Sequence, residues 1–282
     1  MARTFLMSIY KSSRWCKLLL LILTILIFFI GVNSNDYKEG FINQQQKFKF
    51  IQGPQLYDNF YSNIYDDILT DSVVNEYEVG EIINRTGATN ESLVLDIGSG
   101  TGSQVNLFNQ KNIPAFGLDI SPSMVSIARN NYPNHEFRVG DATNIMIYPA
   151  HTFSHITCLN NTIYEMKDKA HFIKNSYEWL MPGGYFVLQL SNSFNHLNNS
   201  KKYDKFVYNS NFDIIKGNIG IFNETFKDND NKVRKQQRKL FISGNQQIIN
   251  MVKDEGFILQ GQFDLSPVNQ KEQIIYLFYK PE

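Results

Sequence analysis

Three glycines and three carboxylates are the residues of this 282-residue chain whose types and spacing suit chemistry. Leu93-Val94-Leu95-Asp96-Ile97 is an apolar run ending around an acid, and Gly98-Ser99-Gly100-Thr101-Gly102-Ser103 follows directly. A run of that kind bounded by a turn reads as a parallel strand buried on both faces. Glycine reaches positive φ without steric penalty and lets a ligand approach the main chain. Helix-compatible sequence over 103–110 places the free N–H groups of a helix N-terminus beside the turn. Strand, glycine turn and helix together make a nucleotide site. The spacing is G-x-G-x-G, whereas a dinucleotide fingerprint is G-x-G-x-x-G with phosphates on the helix N-terminus. Ser103 stands where the third dinucleotide glycine belongs. Asp96 would repel a pyrophosphate and suits a ligand carrying an ammonium group.

Ala115-Phe116-Gly117-Leu118-Asp119 is a second short strand ending in an acid, about 20 residues beyond the turn. A carboxylate there is placed to accept ribose hydroxyls. Ser121 before Pro122 is a plausible helix N-cap. A third acid, Asp141, follows Val139-Gly140 and precedes Ala142.

The pattern Asp-x-Gly-x-Gly-x-Gly resembles motif I of the class I S-adenosylmethionine (SAM) methyltransferases. That resemblance implies that Asp96 helps to hold the methionine end of SAM, with Gly98, Ser99, Gly100 and Gly102 beneath the cofactor. It implies that Asp119 and its neighbour Ile120 bind the ribose side, and Asp141 and Ala142 the adenine. Leu159, at the end of the fourth core strand, joins that expected set. A Tyr-Asp-x-x-Tyr stretch lies ahead of motif I in small-molecule members and lids the cofactor. Tyr57, Tyr61 and Tyr65 match it at four-residue spacing, on one helix face. Tyr61 is therefore carried over as a cofactor residue, with core packing as the competing reading of the stripe.

The remaining pattern extends the same resemblance from about residue 54 to the C-terminus. Helices over 103–110, 122–131 and 166–180 alternate with strands over 115–119, 136–139, 154–159 and 184–191. Such alternation argues for a parallel sheet with right-handed crossovers. Met181-Pro182-Gly183-Gly184 is similar to the family's turn into strand five, and residues 256–263 and 273–279 to its final reversed hairpin. The expected fold class is α/β: a Rossmann-like, seven-stranded, mostly parallel sheet with an antiparallel last strand. An antiparallel β flap is expected as an insertion over 192–243, where small-molecule members cover the acceptor. Lys232, Arg234, Lys235, Arg238 and Lys239 make it locally basic, either as a solvated strand face or as a site for an anionic acceptor.

The methyl-facing loop, residues 159–165, lacks the Asn/Asp-Pro-Pro-Tyr/Phe signature of nucleic-acid amine methyltransferases and the double-Glu loop of protein arginine methyltransferases. The resemblance thus implies an enzyme that transfers methyl from SAM to a small-molecule amine or hydroxyl, with no nucleic-acid partner. A SAM-binding module without turnover, a macromolecular methyltransferase and an NAD oxidoreductase remain open beside it. A hydroxyl acceptor needs a general base. His155, His196, Tyr164 and Glu165 are candidates, and none is singled out as catalytic. His155 stands where the family often has an acid at the head of strand four, and reads as a structural change.

Composition adds little. Formal charge is +0, so there is no long-range pull toward nucleic acid or an anionic surface. Cys16 and Cys158 are the only cysteines, and the five histidines lack ligand spacing, so neither a disulfide framework nor a metal site is expected. Oligomeric state is not legible.

The front of the chain reads as a membrane segment. Residues 18–32 are almost wholly apolar and would cover about 22 Å as a helix, against a ~30 Å hydrocarbon core. Arg3, Lys11, Arg14 and Lys17 precede it without an acid. That bias predicts a cytoplasmic tail over 1–17, a single-pass signal anchor over 18–32, a tether over 33–53 and a catalytic domain over 54–282 across the membrane. A cleaved signal peptide, leaving a secreted or lumenal protein, is the competing reading. Asn84, Asn90, Asn160, Asn198 and Asn223 would then be glycosylation acceptors.

Overall fold

The computed structural model describes residues 48–282 apart from Lys216, together with Arg14, Trp15, Leu18 and residues 21–23. Strand β1 (Phe48–Gln52) is followed by helices α1 (Asn59–Leu69) and α2 (Ser72–Thr86). Each helix starts where an aspartate caps it. Asp58 accepts from the Tyr61 N–H, and Asp71 from those of Val73 and Val74. Gly87, at φ 68°, ends α2 in the left-handed conformation.

The alternation expected from sequence then unfolds as β2 (Val94–Ile97), α3 (Ser103–Gln110), β3 (Ala115–Asp119), α4 (Pro122–Asn131), β4 (Glu136–Val139) and β5 (Phe153–Cys158). Ser121 caps α4 through the Met124 N–H, with proline in the first turn. In place of one helix over 166–180 there are two, α5 (Thr162–Glu165) and α6 (Lys169–Trp179). The break comes at Asp168, which caps α6 by accepting from the His171 N–H at 3.0 Å. Strand β6 (Leu180–Ser191) starts earlier than expected, where the Gly183 N–H donates to the Lys280 carbonyl just past the last strand.

The main sheet has seven strands in the order β11-β12-β6-β5-β2-β3-β4, where β11 (Ile258–Leu265) and β12 (Gln270–Tyr279) form the final hairpin. Helix α7 (Asn245–Asp254) leads into it. Only β12 runs against the others, pairing antiparallel with both neighbours. Alternate residues feed two cores: Leu95, Ile97 and Leu188 point to one face, Val94 and Val187 to the other. Burial on both faces is why these strands read as apolar runs.

The insertion supplies four strands of a second, five-stranded sheet, ordered β1-β10-β9-β8-β7. It comprises β7 (Asn199–Lys202), β8 (Phe206–Ile215), β9 (Ile219–Asp228) and β10 (Val233–Phe241) in antiparallel sequence. The hairpin between β9 and β10 closes where Asp228 Oδ1 accepts the N–H groups of Asp230 and Lys232. Strand β1 adds parallel to β10. Residues 48–52, read from sequence as the end of a tether, are therefore a strand of the flap. Apolar residues of α1 and the flap share a third core containing Phe60, Tyr61, Tyr208 and Phe226.

The expected membrane anchor is corrected. Among the described residues no helix is long and apolar enough to cross a membrane. Of residues 18–32 only 18 and 21–23 are described, and the rest lies outside the described residues. The single-pass localisation and the membrane partner that depended on this segment lose their support with it.

Candidate active site

Asp119 organises the carboxyl edge of the main sheet. The Gly98 N–H donates to the Leu118 carbonyl at 2.8 Å, which lays the glycine turn across the end of β3. The Gly100 N–H donates to Asp119 Oδ2 at 2.9 Å, and the Ser121 N–H to Oδ1 at 2.8 Å. One carboxylate thus ties the glycine turn to the start of α4. A carboxylate offers about four acceptor positions, so roughly half of them remain for a ligand. Burial pushes its pKa up to about 6, against the lowering pull of those two N–H groups. Two of the three glycines leave no room for a side chain. At Gly98 (φ 73°) a Cβ would lie 2.4 Å from Thr162, and at Gly102 (φ 90°) one would lie 2.6 Å from the Phe137 ring.

A cavity of about 860 Å³ opens over this edge. Gly98, Gly100, Asp119, Ile120, Asp141 and Ala142, all expected from sequence to hold the cofactor, line it. Asp141 Oδ1 accepts from the Thr143 N–H and hydroxyl, which fixes the carboxylate at the cavity's edge. The other expected residues are placed elsewhere. Asp96 is buried beneath the turn, where Thr157 Oγ1 donates to it at 2.7 Å from the neighbouring strand. Burial raises its pKa to about 7. Ser99 is packed against Gly117, and Gly102 serves as the packing point for Phe137. Leu159 belongs to the core on one sheet face. Tyr61 is wholly buried, its ring against Phe226 and its hydroxyl on Glu224, so the core-packing reading of the tyrosine stripe holds at that position.

The N-terminal segment closes one side. Thr101 Oγ1 donates to Asp66 Oδ1 at 2.5 Å, and Ser121 Oγ to the Tyr57 carbonyl at 3.0 Å. These bonds lay α1 across both turns of the cofactor edge. Tyr57 and Tyr65 line the cavity, and burial drives both phenols well above the ordinary tyrosine range.

The flap supplies the remaining wall through Ile221, Gln237, Arg238, Lys239 and Phe241. Arg238 is its polar centre. Its Nη1 donates to the Tyr57 hydroxyl at 2.9 Å and to Glu165 Oε1 at 3.0 Å, and its Nη2 to the Tyr61 hydroxyl at 3.2 Å. Glu224, fully buried on β9, accepts from Tyr61, Tyr208 and Gln236 and lies 3.6 Å from Arg238. Arg234 is fully buried and pairs with both carboxylate oxygens of Asp58. The two arginines of the basic cluster are thus neutralised internally, whereas Lys239 of the same cluster lines the cavity. Sequence reading missed Arg238 as a site residue. Its signal is the period-two inward face of β10, Arg234, Gln236, Arg238 and Leu240.

A second chamber of about 180 Å³ adjoins the first. Tyr65, Asn160, Glu165 and Arg238 line both cavities, so they form the boundary between them. The boundary loop is unusual in its backbone: Asn160 and Asn161 have φ values of 51° and 63°. Asparagine tolerates this left-handed conformation better than most residues. Gln189 holds the loop by accepting from the Asn160 N–H, while its amide donates to the buried Glu78 at 3.1 Å. Among the candidate bases, His196 lines the chamber with Nε2 3.1 Å from Asn161 Nδ2, and Glu165 stands at the boundary. The other two are structural. Tyr164 is buried in the core with its hydroxyl on Ser191 and Asn245. His155 stacks on Tyr185, and burial lowers its pKa to about 4. Among the described residues no cluster of His, Cys, Asp and Glu is arranged to hold a metal.

Residues 94–184 match the model of a family described as a methyltransferase domain. The fold is that of solved SAM-dependent methyltransferases. The chain is similar, at 27% identity over half its length, to a dTDP-4-amino-2,3,4,6-tetradeoxy-D-glucose N,N-dimethyltransferase of Saccharopolyspora spinosa. That match spans 58% of the relative's own length, under two thirds of it. A SAM-dependent methyltransferase from Clostridium acetobutylicum superposes with TM-score 0.66 at 18% identity, over 79% of this chain and 99% of the other. A SAM-bound amino pentose methyltransferase from Micromonospora echinaspora does so with TM-score 0.60 at 16% identity, over 77% and 95%.

The residues present fit that cofactor. Asp119 offers free acceptor positions to a diol, and its raised pKa marks a desolvated carboxylate that ligand donors or a nearby cation would relieve. Ile120, Leu118 and Met124 supply apolar surface beside it, and Gly100 leaves open space above the turn.

Proposed function

We propose that this chain transfers the methyl group of SAM to a nitrogen of a small acceptor held in the 180 Å³ chamber. The observation that carries this reading is the pair of cavities meeting at Tyr65, Asn160, Glu165 and Arg238. When bound, SAM supplies a methyl already activated on a sulfonium. Asp119, Asp141 and the glycine turn would hold the adenosine side, leaving the boundary residues to face the methyl. The flap and α1 enclose the site, which removes water and restricts the acceptor's approach. Positioning of this kind can supply much of the acceleration without a specialised catalytic group.

Charge on the chamber wall supports an amine. Asp71 and Glu165 face it against Arg238 alone, and Arg238 is shared with the buried Glu224 behind it. The names of the similar proteins, which act on amino sugars, point the same way. The test is turnover of the full chain with methyl-labelled SAM on a panel of amino sugars, alkylamines and alcohols. Label is expected on nitrogen. Tight SAM binding with label transferred to no acceptor would sink the reading in favour of a binding module.

A further inference from the structure

We infer that Glu165 is the group that takes the proton from the acceptor's ammonium, and that Tyr57 and the flap residue Arg238 position it. This rests on the amine reading above. Three observations carry it. Glu165 lines both the cofactor cavity and the acceptor chamber, so it stands where a nitrogen would meet a methyl. Its side chain is 34% exposed, which leaves it open to a ligand. Both of its bonds fall on Oε1, from the Tyr57 hydroxyl at 2.6 Å and from Arg238 at 3.0 Å, so Oε2 is left to the cavity.

Other groups near the boundary are unsuited. Tyr57 and Tyr65 are driven upward by burial and stay protonated. Asp119 faces Glu165 from β3, but the acceptor positions left beside its Gly100 and Ser121 bonds are those assigned above to the cofactor. Glu224 lies behind Arg238, fully buried, with three donors already on its carboxylate. Asp71 caps α2. His196, lowered by burial, is held against Asn161.

An amine must be neutral to attack. In the step assigned to Glu165, an N–H bond of the ammonium breaks and an O–H bond forms on Oε2. The nitrogen lone pair so uncovered is the one that accepts the methyl, and the proton leaves to water after product release. No redox partner is involved. Because Arg238 comes from the flap, Glu165 is held in this geometry only when the flap lies against the N-terminal segment.

The experiment uses the full chain loaded with S-adenosylhomocysteine, probed with methylammonium and with acetate by saturation-transfer NMR. Methylammonium should bind, acetate should not, and Glu165→Gln should weaken methylammonium at least tenfold while S-adenosylhomocysteine affinity shows that the variant is folded. Methylammonium bound no better by the native protein than by the variant, absence of binding included, overturns the assignment. So does acetate binding of equal strength. On an amine that the native enzyme turns over, E165Q should lose at least tenfold in kcat. Tyr57→Phe, which removes a donor that orients the carboxylate, should lower kcat while leaving KM and S-adenosylhomocysteine affinity unchanged. Unchanged kcat in both variants overturns the role of Glu165 and leaves the amine reading standing. Methyl transfer to oxygen alone would instead defeat the amine reading itself.

Discussion

At the edge of the main sheet, Asp119 is joined to Gly100, 19 residues away, and to Ser121, two residues away. Across the cavity, Arg238 reaches Glu165 over 73 residues and Tyr57 over 181. The first wall presents main-chain N–H groups and acids at strand ends, all held by local geometry. The second is made of buried ion pairs and phenols that meet only when the flap packs on α1. The difference teaches that the two halves should fail differently: the cofactor edge by losing affinity, the flap by losing its structure.

Glu224→Ala should have the largest effect. It leaves Arg238, Tyr61, Tyr208 and Gln236 without their buried acceptor. Removing one member of a buried charged network costs about 3–5 kcal/mol. Urea unfolding followed by fluorescence measures it, and a loss under about 1 kcal/mol would show that the flap behaves like a surface. The comparison would then break.

Asp119→Ala should cost about 1.5–3 kcal/mol of SAM affinity for each charge-assisted bond lost. Calorimetry measures it directly. Unaltered affinity would remove Asp119 from the ligand-holding group.

Three buried carboxyls give the pH dependence. Burial raises Asp119 to about 6, Asp96 to about 7 and Glu78 to about 8, from ordinary values of 3.8, 3.8 and 4.5. The native groups hold protons more tightly than the unfolded chain, so their contribution is full at low pH and lost as pH rises through the folded values. The ligand-free protein should therefore lose stability between about pH 4 and pH 8 from these groups. SAM, a cation, should restore more stability at pH 8 than at pH 5, read as the shift in Tm with cofactor at each pH. An equal shift at both would show that these acids do not sense the ligand.

The smallest effect is Tyr57→Phe, which removes a hydroxyl shared by Glu165 and Arg238. That hydroxyl makes two hydrogen bonds, each contributing about 0.5–1.5 kcal/mol, so the loss stays below about 3 kcal/mol. A thermal melt should find the loss in that range. A loss as large as that of Glu224→Ala would make the boundary a structural keystone and erase the contrast with the buried network.

Reading the chain from sequence locates the cofactor edge because its determinants are short. The burial of β2 follows from four apolar neighbours around Asp96, and the turn from glycines at positive φ. The Asp119 position follows from one strand and one helix cap. Side-chain destinations are less legible within the same motif. Asp96 and Ile97 are adjacent in the chain, yet strand alternation sends the acid down onto Thr157 while Ile97 lines the cavity. The tyrosine stripe divides as well, for a different reason: Tyr57, ahead of α1, and Tyr65 reach the cavity, while Glu224 of the flap takes Tyr61.

The fold class, the strand–helix alternation and the glycine turn are determined by the sequence itself, since hydrophobic period and allowed φ are properties of a few consecutive residues. Tertiary structure alone decides that residues 48–52 are a flap strand, because a five-residue segment gains its hydrogen bonds only from β10. It alone decides that Arg234 is buried, Arg238 nearly so, and both paired, where five basic residues in a row of eight read as a solvated or anion-binding face. A charge can be buried only if its partner arrives, and here the partners arrive from Asp58, Glu165 and Glu224, on three different elements.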